Sequence, residues 1–251
     1  MIPFARERII LDFLQQNRSS TVAELAAIAE VSTSTIRRDL ERLEEQQLIQ
    51  RTYGGALINE VEREDPLRDV ALYRAEEKRT IAVRAAQMIP EGATVMLDIG
   101  TTALAVAAEL VEKELTIVTA SVPVFTLFAP DAKARIIMLG GRYNPDYECF
   151  GGSLTALGMS KYHVDHAFIG ASGIALNGTI RDTTANQVEV KQTIIAHADQ
   201  VTVVADHTKF PGRGIHAVEQ LATVDSIITD QALPPELKEY CQNYDVKEVV
   251  A

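Results

Sequence analysis

Residues 21–56 read TVAELAAIAEVSTSTIRRDLERLEEQQLIQRTYGGA, and this stretch decides how the front part of the chain folds. Thr21 and Glu24 have the spacing of a capping box, in which each side chain bonds the other residue's backbone amide at a helix start. Ser32 has the character of a second helix cap. The sequence therefore predicts two short helices joined by a tight turn.

The second of these helices has one apolar face and one polar face. Ile36, Leu40 and Leu43 recur at helical spacing and predict the buried side. The opposite side carries short hydroxyl side chains and paired arginines: Thr33, Ser34, Arg37 and Arg38. Arginine forks onto guanine in the major groove, and hydroxyls reach phosphate, so this face predicts a DNA-reading helix. The alternative is an exposed charged face on an ordinary helical bundle.

A hairpin follows at residues 48–56. Gly54 and Gly55 predict a turn with positive φ, and Arg51 and Tyr53 are expected to lie near the DNA backbone as a wing. A helix over residues 4–16, with Ile9, Ile10, Phe13 and Leu14 inward, is predicted to pack beneath the two helices. Residues 1–56 then form a winged helix-turn-helix.

The net charge of the chain is −11, which is unusual for a DNA-binding protein. Residues 1–56 contain seven arginines and eight acidic residues, so this segment is near −1 and the remainder near −10. DNA binding must therefore depend on where the charges lie. A weakly charged binding domain also favours a homodimer or homotetramer, which adds contacts.

Beyond the hairpin the sequence pattern changes twice. Residues 57–74 are rich in charge, contain Pro66 and lack clean periodicity, so they are predicted to be a linker. Residues 75–251 alternate short apolar runs with helical stretches, which predicts an α/β domain with a mainly parallel sheet covered on both faces. The runs expected to form strands are TVMLD, LTIVTA, ARIIMLGG, DHAFIGAS, QVTVVAD, DSIITD and VKEVV.

Ligands of parallel sheets bind beyond the carboxyl ends of the strands, and polar residues follow five of these predicted strands. The loop Gly100-Thr101-Thr102 precedes a helix and has the character of a phosphate cradle, to which Lys209 adds a positive charge. Asp98 and Asp206 suit hydrogen bonds to sugar hydroxyls. The complete set of expected effector contacts is Asp98, Gly100, Thr101, Thr102, Thr119, Ser121, Gly141, Ser172, Asp206 and Lys209. Each has a simpler explanation as a turn or a helix cap.

The run STSTIRRDLERLEEQQLIQRTYGGA at residues 32–56 resembles the winged helix-turn-helix of DeoR-type bacterial transcriptional regulators. The resemblance continues through LDIGTT, TAS, LGG, FIGASGI and ADHTKF, which resemble segments around the effector pocket of the DeoR-type sensor domain. That domain is similar in fold to ribose-5-phosphate isomerase. The resemblance implies a phosphorylated sugar or related metabolite as effector. The chain departs from the family pattern at Ala120, where asparagine is frequent, and at Gln187, where an acidic residue is expected.

These patterns predict a cytoplasmic transcriptional regulator that binds a double-stranded operator and is controlled by a phosphorylated metabolite. The resemblance favours a repressor of sugar-utilisation genes over an enzyme. The alternative is a sugar-phosphate isomerase or deaminase fused to a DNA-binding module, with Asp98, Asp182, Glu189 and Asp206 as candidate general bases. A third interpretation is a helix-turn-helix used only for protein contacts. The sequence indicates no cofactor, no metal site and no membrane span.

Overall fold

The computed structural model describes residues 3–45, 48–58, 67–129 and 133–251, and the chain divides into two compact units, Met1–Arg63 and Glu64–Ala251. The predicted linker 57–74 includes residues 59–66, which lie outside the described residues. Within the described ranges, no helix has the length and apolar content that crossing a bilayer requires.

The first unit is a helix-turn-helix followed by a hairpin. Its elements are α1 (Pro3–Asn17), β1 (Ser19–Thr21), α2 (Val22–Ile28), α3 (Thr33–Glu45), β2 (Ile49–Thr52) and β3 (Gly55–Ile58). Both halves of the predicted capping box at Thr21 and Glu24 are present, because each side chain accepts the other residue's backbone N–H. Ser32 Oγ accepts from the backbone N–H of Thr35 at 3.3 Å, as its predicted capping role requires.

The core of this unit forms where the apolar faces of the three helices meet. Ile36, Leu40 and Leu43 are each at most 1% exposed, which confirms the predicted buried face of α3. Ile10 and Leu14 of α1 are buried against them together with Leu11, which the sequence pattern did not single out.

The turn of the hairpin differs from the prediction. Neither Gly54 nor Gly55 adopts a positive φ, so the expectation of a left-handed turn was wrong. Gly55 is instead required by packing, because a Cβ atom there would lie 1.9 Å from the carbonyl oxygen of Ser20. This close approach arises because β3 pairs on its other side with β1, giving the sheet order β1-β3-β2.

The second unit is an α/β domain. Its helices are α4 (Leu67–Leu72), α5 (Ala75–Ala86), α6 (Thr101–Leu110), α7 (Val122–Phe128), α8 (Ser153–Met159), α9 (Ala185–Ala196) and α10 (Pro235–Asn243). Its strands are β4 (Thr94–Leu97), β5 (Thr116–Thr119), β6 (Arg135–Met138), β7 (Arg142–Asn144), β8 (Cys149–Gly151), β9 (Val164–Ile169), β10 (Gly173–Ile174), β11 (Thr179–Asp182), β12 (Ala198–Val204), β13 (His216–Gln220), β14 (Ser226–Thr229) and β15 (Lys247–Val250).

Seven of these strands form one sheet in the order β15-β14-β12-β9-β4-β5-β6, and every neighbouring pair in it is parallel. They are the seven strands predicted from the apolar runs, so the predicted fold class is confirmed. One apolar cluster lies on each side of the sheet, one containing Met96 and Ile169 and the other Leu97 and Phe168, because successive strand residues face opposite ways.

Two small antiparallel sheets, β10-β11-β13 and β7-β8, complete the domain. The backbone N–H of Phe150 donates to the carbonyl oxygen of Ala120 at 2.9 Å, which holds β8 beside the chain leaving β5. The β7–β8 hairpin therefore stands at the carboxyl edge of the main sheet, where the predicted effector residues lie.

Candidate functional site

Helix α3 presents the predicted DNA-reading face to solvent. Thr33, Ser34, Arg37 and Arg38 are all exposed, while the opposite face is buried in the core. The hydroxyl of Ser34 lies 2.9 Å from that of Ser32. The amino-terminal end of α3 therefore offers two guanidinium groups and two hydroxyls on one open surface, which is the chemistry that reads a major groove.

A buried ion-pair network fixes this helix on α1. Asp39 of α3 is fully buried, and its Oδ1 accepts from Arg6 Nη2 at 2.8 Å and also from Arg42. Arg42 Nε in turn donates to Glu7 Oε1 at 2.7 Å. The hydrogen bond with Asp39 raises the pKa of Arg6 above its usual range. The network holds the angle at which α3 projects from the unit.

The wing is attached to α3 through Arg51. Its guanidinium Nη1 lies 3.3 Å from Glu41 Oε1, and its backbone N–H donates to Glu44 Oε1 at 2.9 Å. Tyr53 stands fully exposed at the tip of the hairpin. The structure thus brings Tyr53 to the surface, whereas Arg51 is already paired with carboxylates of α3.

In the second unit, the strongest electrostatic feature lies at the carboxyl end of β4. Asp98 is fully buried, and its Oδ2 accepts from Lys191 Nζ at 2.5 Å and from the Gly170 N–H at 2.9 Å. Lys191 Nζ also donates to the Gly170 carbonyl at 2.8 Å and lies 3.3 Å from Asp182 Oδ2. Asp98 Oδ1 is buried, and no residue that the structure describes donates a hydrogen bond to it.

Burial opposes the charged form of Lys191, but attraction to Asp98 and Asp182 outweighs it and raises the pKa of Lys191 above its usual range. One cation thus faces two carboxylates within the cluster. Neither Lys191 nor Asp182 was predicted as an effector contact from the sequence, since neither follows one of the seven predicted strands: Lys191 lies within α9 and Asp182 ends β11.

The Gly-Thr-Thr loop lies directly beside this cluster. A Cβ atom on Gly100 would be 3.9 Å from the Gly170 Cα, so the ends of β4 and β9 are in contact. Gly100 precedes α6 and supplies no side-chain cap, and Thr101 and Thr102 are mostly buried in its first turn. The first amides of α6 have no intrahelical acceptor, which makes this helix start suitable for an anion.

Thr119 and Ser121 lie at the end of the neighbouring β5. The Thr119 hydroxyl donates to the Leu97 carbonyl at 2.9 Å, and the Ser121 hydroxyl accepts from the Val124 N–H at 3.4 Å as the cap of α7. Both residues are at most 1% exposed. Their hydroxyls are therefore engaged in holding the sheet edge.

The remaining predicted residues lie on either side of this centre. Asp206 follows β12, and its Oδ1 accepts from the Thr208 N–H at 3.0 Å. Burial tends to raise the pKa of Asp206, but attraction to Lys209, the hydrogen bonds from Thr208 and attraction to Lys78 lower it below its usual range. Gly212 packs between Ser172 and the turn at Lys209. A Cβ atom on Gly212 would lie 2.8 Å from the Ser172 carbonyl oxygen and 2.8 Å from the Lys209 carbonyl oxygen.

Gly141 lies farther along the edge, beyond β6. A Cβ atom on Gly141 would be 2.0 Å from the Thr155 hydroxyl oxygen, so this glycine is required for packing against α8. Glu189, a candidate base in the enzyme interpretation, is exposed and accepts from the Ser153 hydroxyl at 2.8 Å, away from the Asp98 cluster. Among the described residues, no group of three or more His, Cys, Asp and Glu side chains is arranged to hold a metal ion.

Comparison with known proteins assigns both units. A family model described as the DeoR-like helix-turn-helix domain matches residues 6–62, and one described as the DeoR C terminal sensor domain matches residues 73–231. The glycerol-3-phosphate regulon repressor of Escherichia coli is 34% identical over 92% of this chain and 91% of its own length. The L-fucose operon activator of Haemophilus influenzae is 28% identical over 98% of this chain and 99% of its own length.

Among solved structures, a ribose 5-phosphate isomerase A from Methanocaldococcus jannaschii is 18% identical, with a TM-score of 0.41. The match covers 55% of each chain.

Proposed function

The chain belongs to the DeoR family of DNA-binding transcriptional regulators, and from this premise we propose that it is a repressor controlled by a phosphorylated small molecule. The effector binds at the carboxyl edge of the seven-stranded sheet and changes the affinity of the first unit for an operator. The observation that carries the proposal is the structure of α3. Its arginine-bearing face is exposed, and its opposite face is fully buried and fixes the helix in place.

The DNA-binding part rests on the state of the two arginines. Arg37 and Arg38 are exposed, and neither guanidinium has an ion-pair partner among the residues that the structure describes. An arginine with free donors suits bidentate contacts to guanine. Arg51 is paired with Glu41 through Nη1 alone, so its other guanidinium donors remain for a phosphate contact.

The effector part rests on the uncapped start of α6 together with the charges around it. The orphan amides after Gly100 favour a phosphate. Lys209 supplies a positive charge at the end of β12, and Asp98 Oδ1 is a buried acceptor without a donor, which a ligand hydroxyl would satisfy.

Binding without turnover is supported by the ion pairs of two candidate bases. Asp98 and Asp182 both face the buried Lys191 ammonium, whose pKa they raise against the effect of burial, and a carboxylate held by such a cation is a weaker base. Gln187 replaces the acidic residue expected from the family pattern, and its neutral amide cannot act as a general base.

The DNA-binding proposal is tested with a duplex selected from a random pool by the full-length protein. Arg37→Ala and Arg38→Ala should each weaken binding to that duplex by about 1–3 kcal/mol if the side chain reads a base. Fluorescence anisotropy measures the affinity, and Arg79→Ala, an exposed arginine in the second unit, is the matched control. Wild-type affinity in both α3 variants would exclude this helix as the reader.

The effector proposal is tested by thermal shift with a panel of sugar phosphates. A compound that binds only the native state raises the melting temperature, and Lys209→Ala should remove that rise while preserving duplex affinity. Product formation at ordinary enzyme rates during the same incubation would favour the isomerase or deaminase alternative. A transcription assay with and without the compound determines whether the compound raises or lowers transcription. Compound-induced derepression is the outcome expected of a repressor.

A further inference from the structure

A cavity of about 220 Å³ lies between the β7–β8 hairpin and the start of α9. None of the predicted effector residues lines it. The hairpin contributes Arg142, Asn144 and Gly151 to the wall, and the helix contributes Thr184, Asn186 and Gln187.

Gln187 is a buried residue in the wall of this cavity. It is 2% exposed, its Nε2 donates to Cys149 Sγ at 3.7 Å, and no described residue donates to its buried Oε1. A buried carbonyl oxygen without a donor is unfavourable, so a ligand hydroxyl that donates to it gains affinity. Gly151 leaves room for the amide, because a Cβ atom there would lie 3.0 Å from Gln187 Nε2.

The rest of the wall is suited to negative charge. Arg142 is the only charged side chain among the residues that line the cavity, it is exposed, and no described residue forms an ion pair with it. Thr184 starts α9, a helix of 12 residues, without a side-chain cap. The Asp182 carboxylate accepts from the Thr183 and Thr184 amides, and the Gln187 amide donates to the Thr184 carbonyl, so the amides of Ala185 and Asn186 are the ones that remain for a ligand among the described residues. The start of α9 and the Arg142 guanidinium line the same cavity, and both favour an anion there.

Helix α9 contributes residues both to the wall of the cavity and to the buried charge cluster. Gln187 and Lys191 are four residues apart and share one face of the helix, with about 6 Å between their Cβ atoms. Lys191 is bonded to Asp98, which lies beside the Gly100 loop. The cavity wall at Gln187 is thus one helical turn from Lys191, whose partner Asp98 lies beside the Gly100 loop.

We propose that this cavity is a second subsite of the effector site, which binds an anionic group with a neighbouring hydroxyl. The effector is then a phosphorylated polyol with charge at both ends, a sugar bisphosphate or a phosphorylated sugar acid. This inference rests on the proposed function, because it assigns one end of the ligand to the phosphate site at Gly100–Thr102.

The test compares ligands that share a phosphate on C6 of a six-carbon sugar skeleton and differ in charge at the other end, by calorimetric titration of the full chain. Glucose 6-phosphate has one anionic group, 6-phosphogluconate adds a carboxylate, and fructose 1,6-bisphosphate adds a phosphate. At least one doubly charged probe should bind the wild-type protein at least tenfold more tightly than glucose 6-phosphate. The two doubly charged probes distinguish a sugar acid from a bisphosphate.

Arg142→Gln should bring that affinity ratio close to one and leave glucose 6-phosphate binding within about twofold, since only the second end loses a partner. Arg135→Gln, an exposed arginine on β6, is the matched control and should keep the ratio. Gln187→Leu should raise the melting temperature of the ligand-free protein, because it removes a buried unsatisfied carbonyl. The same substitution should weaken binding of the doubly charged probe about tenfold.

Two results would overturn this inference and leave the proposed function standing. One is equal affinity of the wild-type protein for singly and doubly charged probes, and the other is an affinity ratio that Arg142→Gln does not change. If Lys209→Ala removes the binding of all three probes, the phosphate site stands independently of the second subsite. If the wild-type protein binds none of the probes, both the inference and the proposed effector class are wrong.

Discussion

Asp39 shows how much of the DNA-binding surface depends on one buried side chain. Its carboxylate is the shared acceptor for Arg6 and Arg42, so it links α1 to the helix that carries Arg37 and Arg38. The sequence around Asp39 gives no hint of this role, because Arg6 is 33 residues away and an acidic residue on a charged helix usually faces water. Only the tertiary packing of α1 against α3 brings the partners together.

Asp39→Asn should therefore destabilise the protein by about 3 kcal/mol, because it leaves the Arg6 guanidinium buried beside an uncharged partner. Urea unfolding measures the change. Glu41→Gln is the matched control, since Glu41 lies two positions away on the exposed side of α3, and its loss should cost less than about 0.5 kcal/mol. Equal stability of the two variants would contradict a structural role for the Asp39 network.

The residues of the candidate effector site divide in the same way between those that a local pattern shows and those that it does not. Gly100, Thr101 and Thr102 follow a strand and start a helix, so their place at the sheet edge could be predicted from the order of elements. Lys191 and Asp182 could not, because the contact of Lys191 with Asp98 joins different βα units and Asp182 meets the cluster only through Lys191.

Asp206 makes the stability of the second unit depend on pH. Although burial alone would raise the pKa of this carboxyl, Lys209, Thr208 and Lys78 lower it below the unfolded value of about 3.9. Its contribution to stability is then present above the unfolded pKa and is lost as the pH falls through the folded pKa.

Asp206→Asn should cost about 1.5–3 kcal/mol at neutral pH, where it removes hydrogen bonds to a charged group. The difference from the wild-type protein should stay constant between pH 8 and about pH 5 and shrink below about pH 4. Urea midpoints at a series of pH values measure it, with Glu239→Gln, an exposed residue, as the control. A difference that grows on acidification would mean that the folded pKa is raised instead.

At the scale of elements, the seven strands of the main sheet could be predicted because each is a short apolar run buried on both faces. The strands that the sequence did not reveal are β1, β7, β8, β10, β11 and β13. Each is five residues or fewer, and they contain polar and glycine residues that are equally typical of turns. Their pairing partners, not their own composition, make them strands.

Substitution of the two glycines of the wing tests whether packing against a partner strand or local turn conformation determines the structure there. Gly55→Ala should destabilise the first unit by about 1–3 kcal/mol, because the added methyl group meets the Ser20 carbonyl and separates β3 from β1. Gly54→Ala adds a methyl group that has nothing within 4 Å, so it should change stability by less than about 1 kcal/mol. Chemical denaturation measures both, and a larger effect at Gly54 would indicate that turn conformation matters more than the β1–β3 contact.

At the scale of the molecule, the chain consists of two compact units with separate cores. The core of the first is formed by residues 10–56 and those of the second lie on the two sides of one parallel sheet. A cysteine-free, weakly charged DNA-binding unit of this size gains affinity when two copies bind neighbouring half-sites, which favours an oligomer on the operator.

Separate cores should unfold as separate transitions, and each ligand should stabilise the unit that binds it. In scanning calorimetry of the full chain, a sugar phosphate at 100 times its dissociation constant should stabilise the larger unit by about 2.7 kcal/mol. A selected duplex at the same relative concentration should act mainly on the smaller transition.

Lys209→Ala should abolish the first shift and keep the second, while Arg38→Ala should do the reverse. This crossed pattern would show that the two binding events belong to different units. Any effect of one ligand on the transition of the other unit then measures the coupling free energy on which regulation depends. A single transition that either ligand shifts equally would mean instead that the whole chain unfolds as one cooperative body.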